Sequence, residues 1–348
     1  MMIVTLTSLA IIIASASSQP LRSIASEKGL CYIGAAVNEA YFTQESYRAT
    51  AAEQYNLVTA ENSCKFGSIQ PTRGEYNFQG CDSVLDFAVE NGMQFRGHNF
   101  IWARFNPGWL EDGDFDSDEL VKIMTDHINT VGSRYKNKTI AWDVVNEALN
   151  DDDYGLRDCI WHNITATESY TSYVDLAFTL ARAADPQAKL FYNDYNVASS
   201  TGWSKGKSDA MFEMVKGMLE RGVPIDGVGL QMHVGCGYDM FDGVRDNMSR
   251  YHEIGIEVHI TELDLACEDK PEENKDCVWG DEAQEEQAET YASLLEICVE
   301  SEACTNFETW GFTDEHTWLD EGTHPLPFDE EYEEKFAVKA MRDVLLNA

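Results

Sequence analysis

The sequence is short of positive charge. Its 348 residues hold 25 Lys and Arg against 61 Asp and Glu, a formal net charge of −36. Such a surface repels nucleic acid and anionic membrane, so neither is expected as a partner. Beyond the first 18 residues no apolar run is long enough to cross a bilayer. None of the nine cysteines forms a C-x-x-C pair, which argues against a zinc ribbon. No G-x-G-x-x-G follows an apolar run, so a dinucleotide-binding fold lacks support. H-E-x-x-H is also missing, which removes a zincin. No cofactor and no metal are expected. After residue 26 there is no Gly/Ser-rich or Pro-rich linker, no short repeat and no separate binding module, so one domain and a monomer are expected.

Hydrophobic residues make up 44% of the chain, enough for a sizeable core. Residues 1–18 are uncharged and mostly apolar, then rich in small residues, with Ala14-Ser15-Ala16 resembling a cleavage site. They read as a secretory signal peptide, leaving 19–348 as the mature domain and an extracellular location. Cysteine use agrees with secretion. Cys298 and Cys304 are near enough in sequence to be bridged, as are Cys267 and Cys277, and an odd count leaves at least one thiol over. Asn137-Lys-Thr, Asn163-Ile-Thr and Asn247-Met-Ser are candidate glycosylation tripeptides. Acidic clusters at 111–119, 268–289 and 329–334 read as solvated faces.

Eight apolar, β-rich runs punctuate the chain, at 31–37, 56–60, 93–100, 139–146, 189–194, 227–232, 257–262 and 306–312. Helix-patterned stretches lie between them, among them 83–92, 172–186 and 208–222. Strand–helix alternation eight times over predicts an α/β fold, a single-domain (β/α)8 TIM barrel. Chemistry in such barrels sits at the carboxyl ends of the strands. The runs end near Glu61, Asn62 and Lys65; near His98 and Trp102; at Asn146 and Glu147; at Asn193, Asp194, Tyr195 and Asn196; at Gln231 and His233; at Glu262 and Asp264; and at Trp310, with Trp318 beyond. One polar end is an ordinary cap. Seven polar or aromatic ends converging on one mouth are hard to explain by capping.

Glu147 and Glu262 close the fourth and seventh runs, which are expected to face each other across the mouth. Two carboxyl groups across a cleft are what glycoside hydrolysis needs, one protonated to assist the leaving oxygen and one ionised. Their separation decides between retention and inversion. Trp102, Trp310 and Trp318 offer apolar faces to pyranose rings; Trp310 also reads as core. Asn62, Lys65, His98, Asn146 and Gln231 offer hydrogen bonds to hydroxyls. His233 reads as a core histidine or as a ligand, and His98, His233 and Asp264 form a metal set that no motif spacing supports.

At this point the motifs TAENSCKF, RGHNFIW, WDVVNEAL, LFYNDYN, GVGLQMH, ITELD and WGFTDEHTWL, in this order over about residues 30–320, resemble glycoside hydrolase family 10, the β-1,4-xylanases. The resemblance implies Glu147 as acid/base, Glu262 as nucleophile and net retention. It implies Asn146 on the sugar 2-hydroxyl, His233 holding the nucleophile and Asp264 holding His233. Glu61, Asn62 and Lys65 would form the glycone side, His98 and Trp102 the reacting subsite, and Tyr195, Gln231, Trp310 and Trp318 the rest of a cleft for xylan or a related polysaccharide. It also implies the Cys298–Cys304 disulfide. One segment departs: where the family usually has a glutamine that favours xylose over glucose, this chain has Phe105. A β-1,4-glucanase or mixed-substrate glycanase is therefore the alternative, and a non-catalytic xylan-binding barrel a more distant one.

Overall fold

Parallel strands buried on both faces read as unbroken apolar runs, and each of the eight runs becomes one. The computed structural model describes residues 19–267 and 279–348. In chain order the strands are β1 Tyr32–Val37, β2 Leu57–Ala60, β3 Gln94–Trp102, β4 Ala141–Asn146, β5 Lys189–Asp194, β6 Gly227–Leu230, β7 His233–Gly235, β8 Glu257–Ala266 and β9 Cys304–Thr309. β1 to β6 pair in sequence, β6 pairs with β8, β8 with β9, and β9 with β1. All pairings are parallel, so β1–β6, β8 and β9 close an eight-stranded barrel.

β7 is an addition that the sequence reading did not contain. The sixth run ends at Leu230, and a separate strand, His233–Gly235, pairs only with the far end of β8. β8 in turn does not stop at Glu262. It runs to Ala266, because Leu263 and Leu265 are buried and β7 supplies a partner, His233 opposite Asp264. Nor do the two glutamates sit on diametrically opposite strands. β5 and β6 separate β4 from β8, so the gap is spanned from β5.

The helices form as patterned. Tyr173–Ala184 buries Val174, Ala177, Phe178 and Ala181, a stripe at 3.6-residue spacing that packs on β4. Ser172 caps its start, accepting the Asp175 N–H, and Pro186 follows its end. Gln79–Glu90 and Lys205–Glu220 cover the other two predicted stretches. Inside the barrel, Arg96 and Asp143 form a fully buried ion pair, and Asp143 also meets His98 Nδ1 at 2.8 Å. That pairing keeps both charges compensated beneath the mouth.

Among the described residues three disulfides are present. Cys298–Cys304 agrees with the spacing. Cys267 pairs with Cys236 rather than Cys277; the fold brings their Cα atoms to 5.3 Å across the β7–β8 end, a proximity that sequence distance hides. Cys277 and the signal peptide lie outside the described residues. Cys64–Cys81 was not anticipated. It closes a 17-residue separation, worth on the order of 3 kcal/mol by loop-closure entropy, and ties the β2 loop next to Lys65. Among the described residues Cys31 and Cys159 are free. Of the glycosylation candidates, Asn137 and Asn163 are exposed. Asn247 is fully buried and its amide donates to the Val197 and Ala198 carbonyls, so it has no room for a glycan. No described helix is long and apolar enough to cross a membrane.

Candidate active site

Glu147 is the first residue beyond β4, and it adopts a left-handed backbone, φ 53°. A non-glycine residue there is held at about 1–3 kcal/mol by its surroundings. Its N–H donates to the Asn193 carbonyl at 2.9 Å. Its carboxyl, 8% exposed, receives Trp102 Nε1–H on Oε2 at 2.9 Å, and Gln231 and Asn146 amides on Oε1 at 3.2 and 3.4 Å. All three donors are neutral.

Glu262 lies within β8 and is buried. Its Oε1 accepts from Asn193 Nδ2 at 2.6 Å, and its Oε2 lies 3.3 Å from His233 Nε2. The other ring nitrogen of His233 is 2.8 Å from Asp264 Oδ2, which also accepts the Trp318 indole N–H at 2.8 Å. Burial alone would raise the Glu262 carboxyl, but the His233 hydrogen bond, the charges of His98 and His233, and the Asn193 amide bring it down to about 2. His233 moves the other way. Burial opposes its charge, yet Asp264 and Glu262 lift it to about 10, so both ring nitrogens donate. His233 therefore lies between two carboxylates, Asp264 and Glu262, that favour its charged form.

Asn193 joins the two glutamates. Its Nδ2 donates to Asn146 Oδ1 at 2.8 Å as well as to Glu262, and its Oδ1 accepts from Thr261 at 2.7 Å. Gly229 on β6 makes the space: a Cβ there would lie 2.1 Å from Asn193 Oδ1. Gln231 closes the circuit, donating to both Asn146 and Glu147.

The rim carries the remaining predicted residues. Glu61 accepts from Asn62 at 3.0 Å and from Asn38 at 3.2 Å, and Lys65 donates to Asn62 at 2.9 Å. The buried Lys65 ammonium lies 5.0 Å from the centre of Trp102 and 5.7 Å from that of Trp310. Burial lowers its pKa, opposed by the charges of Glu262, Glu61 and Glu147. Trp310 is largely buried yet walls the site, edge-on to His98 at 5.0 Å. His98 is tied to Asp143, so it does not join His233 and Asp264. Tyr195 meets the network through Arg157, which donates to its hydroxyl at 2.8 Å and to the Glu147 carbonyl at 3.2 Å.

Asn38, Arg157, Tyr192 and Lys207 were not singled out from sequence, and Asn193 was read there as a strand end without a role of its own. Asn193 was within reach, since it ends the fifth run beside Tyr195. Lys207 was not, because a lysine near the start of an amphipathic helix reads as solvated.

The glycosyl hydrolase family 10 model matches residues 20–344. The chain belongs to that family. Endo-1,4-beta-xylanase B of Thermotoga neapolitana is 34% identical over 338 residues, covering 94% of this chain and 91% of that one. A beta-1,4-xylanase of Dictyoglomus thermophilum is 35% identical over 314 residues, covering 88% and 86%. The crystal structure of xylanase 10B from Thermotoga petrophila RKU-1 in complex with xylobiose superposes with a TM-score of 0.85 at 34% identity, covering 94% and 97%. This family 10 chain is a glycoside hydrolase on a TIM barrel.

Within the family 10 barrel, the Phe105 departure has its own geometry. Its backbone is left-handed, φ 57°, and its carbonyl accepts the Gly67 N–H at 3.0 Å. A Cβ on Gly67 would sit 2.6 Å from that carbonyl, so glycine is needed there. The exposed Phe105 ring lies 11° from parallel to Trp102, with centres 6.5 Å apart, and Lys65 Nζ is 5.1 Å from its centre. The rim is aromatic here, as the Phe105 departure in the sequence implies.

Proposed function

We propose that this chain is a secreted, retaining endo-1,4-β-xylanase that cuts internal bonds of xylan by double displacement. The observation that carries the chemistry is the unequal treatment of two buried carboxyls. Glu262 is held ionised against a cationic His233, while Glu147 receives only neutral donors. In the first step Glu262 attacks the anomeric carbon as Glu147 gives its proton to the leaving oxygen. In the second, Glu147 takes a proton from water, which displaces Glu262. Asn146 holds the 2-hydroxyl beside the reacting centre, and the family's retaining character supports this order of events. The names of the relatives, and xylobiose in a structural neighbour, support xylan as substrate. The N-terminal 18 residues and the three disulfides support secretion.

Purified protein incubated with xylan should release new reducing ends as short oligosaccharides, and the first-formed anomer should be β. A fluorinated xylobioside inactivator should label Glu262, read by peptide mass spectrometry. Binding without new reducing ends would replace the reading with a non-catalytic barrel; an α-anomer first would replace it with inversion. Phe105 favours one second reading, a glycanase that also accepts glucan chains, which faster release from cellulose-type substrates than from xylan would establish.

A further inference from the structure

The carboxyl of Glu147 faces the cleft, but its position depends on the backbone that carries it. That backbone leaves β4 in a left-handed turn and is gripped from behind by buried and half-buried side chains. The N–H groups of Ala148 and Leu149 both donate to the Tyr192 hydroxyl, at 2.9 and 3.1 Å. A phenol oxygen that accepts two hydrogen bonds must send its one proton elsewhere. Asp194 Oδ2 takes it at 2.5 Å. Asp194 Oδ1 accepts Lys207 Nζ at 3.0 Å and the Tyr195 N–H at 2.8 Å. Tyr192 and Asp194 are fully buried and Lys207 nearly so. From the other side Arg157 donates to the Glu147 and Leu149 carbonyls, at 3.2 and 3.0 Å. Every polar backbone group around the turn thus has a fixed partner, and Asp194 is the one acceptor on which the phenol's orientation rests.

We propose that Tyr192, Asp194 and Lys207 form a positioning relay that fixes the turn at Glu147 and so sets where its proton is delivered. The same relay holds Tyr195 through its N–H, so the cleft wall beside the leaving group and the proton donor share one frame. Burial lifts the Asp194 carboxyl to about 6 against the pull of Lys207 and the Tyr192 hydroxyl, so above that pH a hydrogen-bonded carboxylate with a buried lysine keeps the frame rigid without placing a cation on the Glu147 carboxyl. The inference rests on Glu147 being the acid/base.

The test is leaving-group dependence. The wild-type chain, Tyr192→Phe and Asp194→Asn are compared by kcat/KM on aryl β-xylobiosides running from dinitrophenyl, which needs no acid, to phenyl, which does. Thermal midpoints confirm that each variant is folded. Both variants should lose at least about tenfold more on the phenyl than on the dinitrophenyl substrate, steepening the dependence on leaving-group acidity. An equal loss on all substrates, or no loss, overturns the relay and leaves a purely structural contact. If Tyr192→Phe does not fold, Asp194→Asn decides by the same ratio. Failure of the function reading itself looks different: the wild-type chain would then cleave none of these substrates.

Discussion

Glu147 and Glu262 stand in one mouth, are both buried, and share a hydrogen-bond circuit through Asn193 and Asn146. Their surroundings nevertheless differ in kind. Glu262 answers to a charged partner, His233, itself locked by Asp264 and capped by Trp318. Its ionised form is stabilised by charge and by hydrogen bonding together. Glu147 answers to an indole and two amides, and what is fixed most firmly is its backbone. The lesson is that a site can separate two identical side chains by giving one a cation and the other a mount. One group keeps a charge, and the other keeps a fixed place, from which the proposed mechanism has it give and take a proton.

Removing the charged member should have the largest effect. Glu262→Ala should lower kcat by on the order of 10⁴-fold or more on xylan and on activated aryl xylobiosides alike, because in the proposed double displacement Glu262 forms the covalent bond. Residual turnover of the dinitrophenyl substrate at a substantial fraction of the wild-type rate would move the nucleophile elsewhere. Glu147→Ala should be selective. On xylan the loss should be about 10² to 10⁴-fold, the usual worth of a positioned acid. On dinitrophenyl xylobioside kcat/KM should fall far less, since that leaving group departs unassisted. Equal losses on both would erase the distinction between the two glutamates.

His233→Asn tests the charge directly, and its sign follows from the pKa directions. Glu262 is depressed to about 2, so its stabilising contribution is complete above about pH 4.5 and lost as pH falls through about 2. His233 is raised to about 10, so its contribution is complete below about pH 6.5 and lost as pH rises through about 10. Their shared contribution is whole between about pH 4.5 and 6.5. The gap in Tm between wild type and His233→Asn should be widest in that window and narrow on both sides. The acid limb of the activity profile should move to higher pH in the variant. A gap constant from pH 3 to pH 10 would mean that the pair carries no net charge coupling.

The contrast between the two glutamates was partly legible in the chain itself. A barrel strand is buried on both faces, so each run announces itself by continuous apolar character, and its polar end marks the mouth. Glu147, Asn146, His233 and Glu262 were therefore visible one strand at a time. The mount beneath Glu147 was not. Its parts come from β5, from a helix and from the loop after β4, and only the closed barrel brings Tyr192, Lys207 and Arg157 behind one turn. The left-handed φ of Glu147 leaves no residue signature, since it is imposed by tertiary hydrogen bonds rather than by glycine. Cys236 likewise finds Cys267 only because β7 lies on the extension of β8, a strand too short to show a period.

The smallest effect should come from the rim, where neither glutamate is touched. Phe105 presents an exposed ring beside Trp102 and Lys65, with no donor or acceptor in its side chain. Glucose differs from xylose by a hydroxymethyl group, and discrimination over so small a group is worth about 1–3 kcal/mol when packing alone decides. Phe105→Gln would return an amide to this rim and remove an apolar wall. The ratio of rates on xylan to rates on cellulose-type substrates should then rise by about tenfold, near the low end of that range, while the pH profile set by Glu262 and His233 stays where it is. The backbone should accept the change, since its left-handed turn is anchored by the carbonyl on Gly67 and not by the ring. An unchanged ratio would place Phe105 outside the reach of the sugar and leave substrate choice to the residues around Glu61, Asn62 and Lys65.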